Sequence, residues 1–559
     1  MDSTFQKIRR WRAVPGILTG LTFFSWLLLI FFPVGETSSR EVINMTIGIT
    51  WIISVALWLT GLYFWHKDEI KVIGFIGYVA AMIGHGIIAF FLFTAHFDLS
   101  VSSQYFSLRV GVGMILFNWG IMLFGSTLLK TGRFPSLAIV LWIVGLVLPN
   151  AGLAIKWPGF LLLSAVGAIW CGIYLWRDPK NQQKPLFNKT TATGGAQRLI
   201  SLDMLRGLIM VVMAIDHASM FIRRTHPFEM WNFPVTNYFG DGGIFLTRFV
   251  THFCATGFFF LMGIGIILFA ESRKKNGWSH RKIMGHLAAR GVMIIVLEKI
   301  LWTPILYGSV QFTKFGVLYA LGGSMLACVL LLRFNKIALF LIGLAGIMAT
   351  QVLPQIIMNS GIYNNPLAIL LFVPQAGGNW VNIYPLFPWM SITIIGMLFG
   401  KEVLKNQKEA YKKLLAIGLI CLTLFPVVRG IGSFGNFRPP VDSGWIAFLN
   451  VVKYPPSLVF TLITLGVNCV LIFLFEQYHN RLGKYLKTPL LIFGKTALYF
   501  YFAHWLLYPA IGSLFYFIKA NLLWMYVCWA MGLLMLYPVC SQYLKFKQRT
   551  APNSIWRFI

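Results

Sequence analysis

The sequence predicts an all-α fold, a polytopic transmembrane helical bundle of about 16 spans, six followed by ten. Of its 559 residues 57% are hydrophobic and only 11% charged, less than half the roughly 25% charged share of soluble domains. Apolar runs of about 20 residues recur from end to end, each able to cross a hydrocarbon core about 30 Å thick. Lipid offers no backbone partners, so such runs must be helical. Lys and Arg collect in the short loops between the runs, which is the mark of cytoplasmic loops.

Taken in order, Lys7, Arg9, Arg10 and Arg12 precede a first run too long for a signal h-region, with no small-residue cleavage site after it. The first span is therefore expected to be retained. Spans near 14–33, 43–65, 72–95, 108–128, 135–153 and 158–176 form an N-terminal membrane domain over residues 1–176. Residues 177–200 are polar, rich in Thr, Gly and Lys, without apolar periodicity, and read as a cytoplasmic linker. A second domain over 201–559 follows, with spans near 202–222, 245–270, 283–303, 315–332, 336–353, 385–400, 413–428, 456–475, 489–513 and 521–541. The stretch from Leu367 to Val373 is too short to cross and would invert every later loop if counted, so it reads as re-entrant or interfacial. Basic loops such as Arg273-Lys274-Lys275, Lys401 to Lys413 and Lys545 to Arg549 then fall inside, and both termini are cytoplasmic. No repeat of fixed period is present, which excludes solenoids.

A net charge of +30 raises the question of nucleic acid. The basic residues flank spans, however, so no nucleic acid is expected and the partners of these loops are anionic membrane lipids. Seven cysteines lie within or beside apolar segments, with no CxxC pair. The histidines show no close ligand spacing either, and no metal is expected.

Ionisable groups inside spans are costly and by default mark chemistry or transport. Asp216 and His217 lie roughly 20 Å along their helix from Asp203, in the outer third of the membrane. Thr251, His252, Glu298 and His504 occupy the same level on three other spans. An imidazole beside a carboxylate can take a proton from an amine or hydroxyl. Neighbouring residues point about 100° apart on a helix, so Asp216 and His217 are expected to face partners on other helices, with His252 and Glu298 as candidates. At the cytoplasmic end, Arg198 and Arg206 stand beside Asp203, where an arginine pairs with the acid or binds a phosphate. Arg290, deeper in its helix, must be paired or face a water-filled cavity. Outside loops hold His226, Arg223, Arg224, Arg429, Arg438 and Lys453, either solvated or forming a vestibule for an anionic acceptor. Arg248, Lys453 and His504 are the candidates for acceptor binding.

The blocks RLISLDMLRGLIMVVMAIDH, LTRFVTHFCATGFFFLMG, YPLFPW, KYPPSLVFTLITLG and FGKTALYFYFAHW, in that order over about 198–541, resemble bacterial members of the heparan-alpha-glucosaminide N-acetyltransferase catalytic-domain family, within the transmembrane acyltransferase superfamily. The resemblance implies a helical enzyme that takes an acetyl or other acyl group from cytosolic acyl-CoA and delivers it to an acceptor across the membrane. It also implies that Arg206 belongs to the entry motif and that Asp216-His217 lines the reaction site. In the animal lysosomal enzyme an asparagine stands at the His217 position and the proposed catalytic histidine lies in the following loop, where this chain has His226. Whether His217 or His226 is the base stays open.

The expectation is a bacterial cytoplasmic-membrane acyltransferase acting on an amine or hydroxyl of an extracytoplasmic sugar or glycan. Its catalytic candidates are Asp216, His217, His226, His252 and Glu298, and its acyl-CoA candidates are Arg198, Arg206 and Arg290. Transfer would be direct or pass through an acyl-histidine. Acyl-chain length, homo-oligomerisation and the role of the first six spans are left open. The rival reading is a secondary transporter of a small anionic or sugar-like solute, although no second copy of the SLD-LRG block is present. A non-catalytic scaffold would leave the ionisable groups unexplained.

Overall fold

The computed structural model describes residues 14–31, 37–96, 103–147, 159–177, 199–227, 229–233, 238, 241–303, 313–515, 520–550 and 554–557. They are helical nearly throughout. The strands among them are Thr313–Phe315 (β1), Gln375–Gly377 (β2) and Trp380–Asn382 (β3), with β1 parallel and β2 antiparallel to the central β3. Among the described residues eight helices are long and apolar enough to cross a membrane, and up to ten if two interrupted pairs each count as one span. The chain is a multi-pass membrane protein.

The first block supplies α1 (Val14–Phe31), α2 (Thr37–His96), α3 (Ser103–Thr131), α4 (Ser136–Val147) and α5 (Gly159–Arg177). Lys71 leaves helical geometry (φ 54°, ψ −159°), so α2 is two helices that meet where the sequence places a loop between spans. The linker expected at 177–200 lies almost wholly outside the described residues. The second block supplies α6 (Ile200–Ala218), α7 (Gly242–Phe249), α8 (Phe253–Lys275), α9 (His280–Val296), α10 (Val317–Leu330), α11 (Lys336–Thr350), α12 (Leu353–Asn359) and α13 (Pro366–Leu371). It continues with α14 (Leu386–Lys405), α15 (Gln407–Ile431), α16 (Trp445–Leu449), α17 (Leu458–Tyr478), α18 (Lys484–Lys495), α19 (Ala497–Ser513) and α20 (Leu522–Arg549). Asp241, Ser279, Asn335, Ser457 and Asn521 cap α7, α9, α11, α17 and α20 with side-chain oxygens that accept otherwise orphaned N–H groups.

Three expected spans are interrupted. The run at 245–270 breaks between α7 and α8, where the amides of Thr251 and His252 bond the carbonyls three residues back, Arg248 and Phe249. The run at 336–353 bends by 47° before α12, whose Pro354 has no amide hydrogen to continue the ladder. The run at 489–513 breaks at Thr496 (φ −119°, ψ 29°) into α18 and α19. The short apolar stretch at Leu367 falls on the six-residue α13, where Ala368, Val373 and Ile357 pack against Trp231, Leu353, Tyr363 and Phe372.

The described helices form two compact units, each discontinuous in sequence. One comprises Met1–Thr193, His217–Thr225 and Thr496–Ile559; the other comprises Gly194–Asp216 and His226–Lys495. In the first, the Trp119 indole N–H donates to the Met535 carbonyl at 2.8 Å, and the Ser126 and Tyr499 hydroxyls meet at 2.7 Å. In the second, backbones touch through glycine. A Cβ on Gly207 would stand 1.9 Å from the Leu490 carbonyl oxygen, and one on Gly494 1.8 Å from that of Asp203. Only glycine permits α6 and α18 to pack this closely, the small-residue contact by which helices associate in lipid.

Candidate functional site

Within the second unit the polar groups converge on Arg248, in the last turn of α7. Its Nη1 donates to Asp216 Oδ1 at 2.5 Å, while Nε and Nη2 donate to Glu229 Oε1 and Oε2 at 2.8 and 2.6 Å. The second contact is a two-point guanidinium–carboxylate fork, the strongest geometry such a pair can adopt. Arg248 is only 5% exposed and Glu229 2%, so these charges are paired away from water. Lys453, also buried and within Coulombic reach of Glu229, balances the second carboxylate. The loop holding Glu229 is sewn in place by its backbone. The Lys453 and Tyr454 amides both donate to the Glu229 carbonyl, at 3.0 and 3.1 Å, and the Trp231 amide donates to that of Tyr454 at 2.9 Å.

Two imidazoles border this network. His226 Nδ1 lies 3.6 Å from Asp216 Oδ1. Burial pushes the His226 imidazole down to about 4 against the upward pull of Asp216, so the ring is neutral at pH 7. Burial by itself would raise the Glu229 carboxyl, but the charge and hydrogen bonds of Arg248 hold it down to about 2. His252 donates through Nδ1 to the Arg248 carbonyl at 3.0 Å, which leaves the lone pair of a neutral ring on Nε2. The same carbonyl accepts the Thr251 hydroxyl at 2.7 Å and amide at 3.1 Å. The break between α7 and α8 is thus what gathers Arg248, Thr251 and His252.

Residues 198–428 match the family model described as heparan-alpha-glucosaminide N-acetyltransferase, catalytic. The match covers 231 of the 559 residues. No curated protein matches the chain. The matched segment contains Asp216, His226, Glu229, Arg248 and His252, whereas Lys453, Tyr454 and His504 lie beyond its end.

Elsewhere the expected residues find other surroundings. Glu298 sits on a π-helical turn, Leu297–Trp302, that continues α9. Its carboxylate accepts the Gly316 amide at 2.6 Å and the Tyr319 amide, so it caps α10 instead of facing Asp216 or His217. The reason is local, since the first amides of a helix need acceptors. Arg206 donates to Asp203 Oδ1 at 2.9 Å and to the Gly494 carbonyl at 3.4 Å, and Arg290 is within Coulombic reach of it. Arg198 lies outside the described residues. Arg248, expected at the acceptor, spends its donors on Asp216 and Glu229. Arg429, expected in an outer vestibule, is 1% exposed and donates to Asn436 Oδ1 and the carbonyls of Arg438, Ala447, Phe448 and Asn450. It ties the outer loop together.

In the first unit, His217 Nδ1 stands 2.6 Å from His504 Nε2, and His504 Nδ1 donates to the Phe500 carbonyl at 2.9 Å. Asp216 and His217 do turn to different helices, Asp216 to Arg248 on α7 and His217 to His504 on α19. His504, expected to contact the acceptor, is wholly buried with both ring nitrogens engaged. Among the described residues no group of three His, Cys, Asp or Glu is placed to hold a metal ion.

Sequence reasoning missed Glu229 and Tyr454, and placed Tyr384 among outer-loop aromatics that form an interfacial belt or stack on sugar faces. A signal for Glu229 existed: it is an acid in the apolar stretch Pro227-Phe228-Glu229-Met230-Trp231 of a chain with only 17 acids. Tyr384 and Tyr454 meet through their hydroxyls at 3.2 Å, and nothing local in the sequence separates them from interfacial aromatics.

Proposed function

We propose that the chain is a membrane-embedded acyltransferase. It moves an acetyl or other acyl group from cytosolic acyl-CoA to an amine or hydroxyl of an extracytoplasmic sugar or glycan. The observation that carries this reading is the network of Asp216, Arg248, Glu229 and His226, with Arg248 and Glu229 buried, inside the segment matched by the N-acetyltransferase family model. His226 is the general base. It takes the acceptor's proton as the acceptor attacks the thioester carbonyl, and Asp216 stabilises the imidazolium that forms. His252, with its lone pair on Nε2, is the second proton-accepting ring of the centre. The acyl carbon–sulfur bond breaks and the CoA thiolate leaves toward the cytoplasm. Arg206 and Arg290 concentrate positive charge for the CoA phosphates about 15 Å along α6 from Asp216.

In this reading the full chain crosses the cytoplasmic membrane about sixteen times with both termini inside. The test uses the full chain in liposomes, labelled acetyl-CoA on the cytoplasmic side and glucosamine as the probe acceptor. Label should pass to glucosamine, and His226→Ala and Asp216→Asn should each slow it at least tenfold. If acetyl-CoA neither raises the melting temperature nor donates label, the reading fails.

A further inference from the structure

The pair His217 and His504 belongs to the first unit, and its geometry determines where its protons lie. His504 Nδ1 is 2.9 Å from the Phe500 carbonyl oxygen, four residues back on α19. A carbonyl only accepts, so Nδ1 carries the hydrogen. His504 is 0% exposed, and its ring meets those of Phe500, Tyr501, Trp505 and Tyr508 at centroid distances of 5.4, 5.6, 6.1 and 6.3 Å. A charged imidazole in that aromatic setting is costly, so the ring is neutral and its lone pair is on Nε2. That lone pair faces His217 Nδ1 at 2.6 Å, which must then be the donor. Neutral His217 therefore keeps its lone pair on Nε2, the tautomer that a free histidine side chain in water disfavours.

We propose that His504 is a positioning residue that uses the Phe500 carbonyl to lock His217 with hydrogen on Nδ1 and a proton-accepting Nε2. The His217 ring lies 4.4 Å from that of Trp505, which limits its rotation out of this arrangement. The use assigned to the lone pair rests on the acyl-transfer reading: it accepts a hydrogen bond from a bound amine or hydroxyl and so orients it, with no covalent bond made or broken at His217. The lock itself does not depend on that reading.

The experiment is nitrogen-15 NMR on the full chain in nanodiscs at neutral pH, with labelled histidine rings and His217→Asn to assign the His217 signals. Wild type should show a protonated Nδ1 and a pyridine-type Nε2 for His217. His504→Leu should lose the pyridine-type Nε2 signal and slow acetyl transfer from acetyl-CoA to glucosamine at least tenfold. His504→Gln, whose amide oxygen can accept from His217, should keep the signal and most of the transfer. A wild-type His217 protonated on Nε2, alone or on both nitrogens, overturns the proposal, as does His504→Leu with an unchanged spectrum. If His504→Leu does not fold, the wild-type and His504→Gln spectra decide. A locked tautomer in a chain that transfers no acetyl group would sink the acyl-transfer reading and leave the lock standing.

Discussion

Arg248 and Glu229 are buried as charges with the half-buried Asp216 beside them, whereas buried His504 meets half-buried His217 as a pair of neutral rings. In the first case three side chains and the nearby Lys453 bring the local charge to zero, and the hydrogen bonds are charge-assisted. In the second, hydrogen bonds run in one direction, from ring to ring to carbonyl, and no charge is needed. The difference teaches what each arrangement tolerates. A charged network fails when one member is removed, because the others are left uncompensated. A neutral pair fails when its direction is lost, because only the tautomer carries information.

The largest expected effect comes from breaking the charged side. Arg248→Met leaves the buried Glu229 and half-buried Asp216 without their shared cation, a loss of about 3–5 kcal/mol. The melting temperature in detergent should fall sharply and acetyl transfer should stop. Combining Arg248→Met with Glu229→Gln should recover part of the melting temperature but none of the transfer. An Arg248→Met protein that melts like wild type would mean that the two carboxylates are not held as charges.

A smaller effect separates the groups by pH. Glu229 is held at about 2, below its ordinary 4.5, so its stabilisation is complete above 4.5 and is lost as pH falls from 4.5 toward 2. His226 is held at about 4, below its ordinary 6.5, so its contribution is complete above 6.5 and is lost as pH falls from 6.5 toward 4. Melting temperature against pH should therefore decline through two windows. His226→Asn should make the upper window shallower and leave the lower one, whereas Glu229→Gln should remove the lower window and shift the upper one to lower pH, since Glu229 helps to hold the His226 proton. A single transition untouched by both variants would remove these two groups from the account.

Much of this was legible in the sequence. Long apolar runs and basic loops mark the helices, and the loop between spans 43–65 and 72–95 coincides with the break at Lys71. That Asp216 and His217 would turn to different helices followed from helical geometry. Their partners did not follow. Glu229 reaches Arg248 across 19 residues and His504 reaches His217 across 287, and the spacing of polar residues on one helix says nothing about such pairings. The helix breaks at Val250–His252 and Thr496 were hidden for a related reason. The surrounding runs are apolar throughout, and hydropathy does not distinguish a straight span from one broken by a local bond to a carbonyl.

Glu298 supplies the smallest effect and a third way to bury a carboxylate, on backbone amides. Its two amide bonds and the partial positive charge at the start of α10 replace the guanidinium that Glu229 uses. Lys314 and Lys299 lie within Coulombic reach, so the group also has cations nearby. Glu298→Ala should cost about 1–3 kcal/mol, because the Gly316 and Tyr319 amides lose their acceptor in a buried place. Glu298→Gln keeps one carbonyl oxygen for those amides and should recover about half of that melting-temperature loss. If the acid were held instead by lysine charge, Gln would be as damaging as Ala, and salt would narrow the gap between wild type and both variants. Acetyl transfer relative to folded protein should stay within about twofold of wild type in Glu298→Gln, since its carboxylate serves α10 and not the Arg248 network.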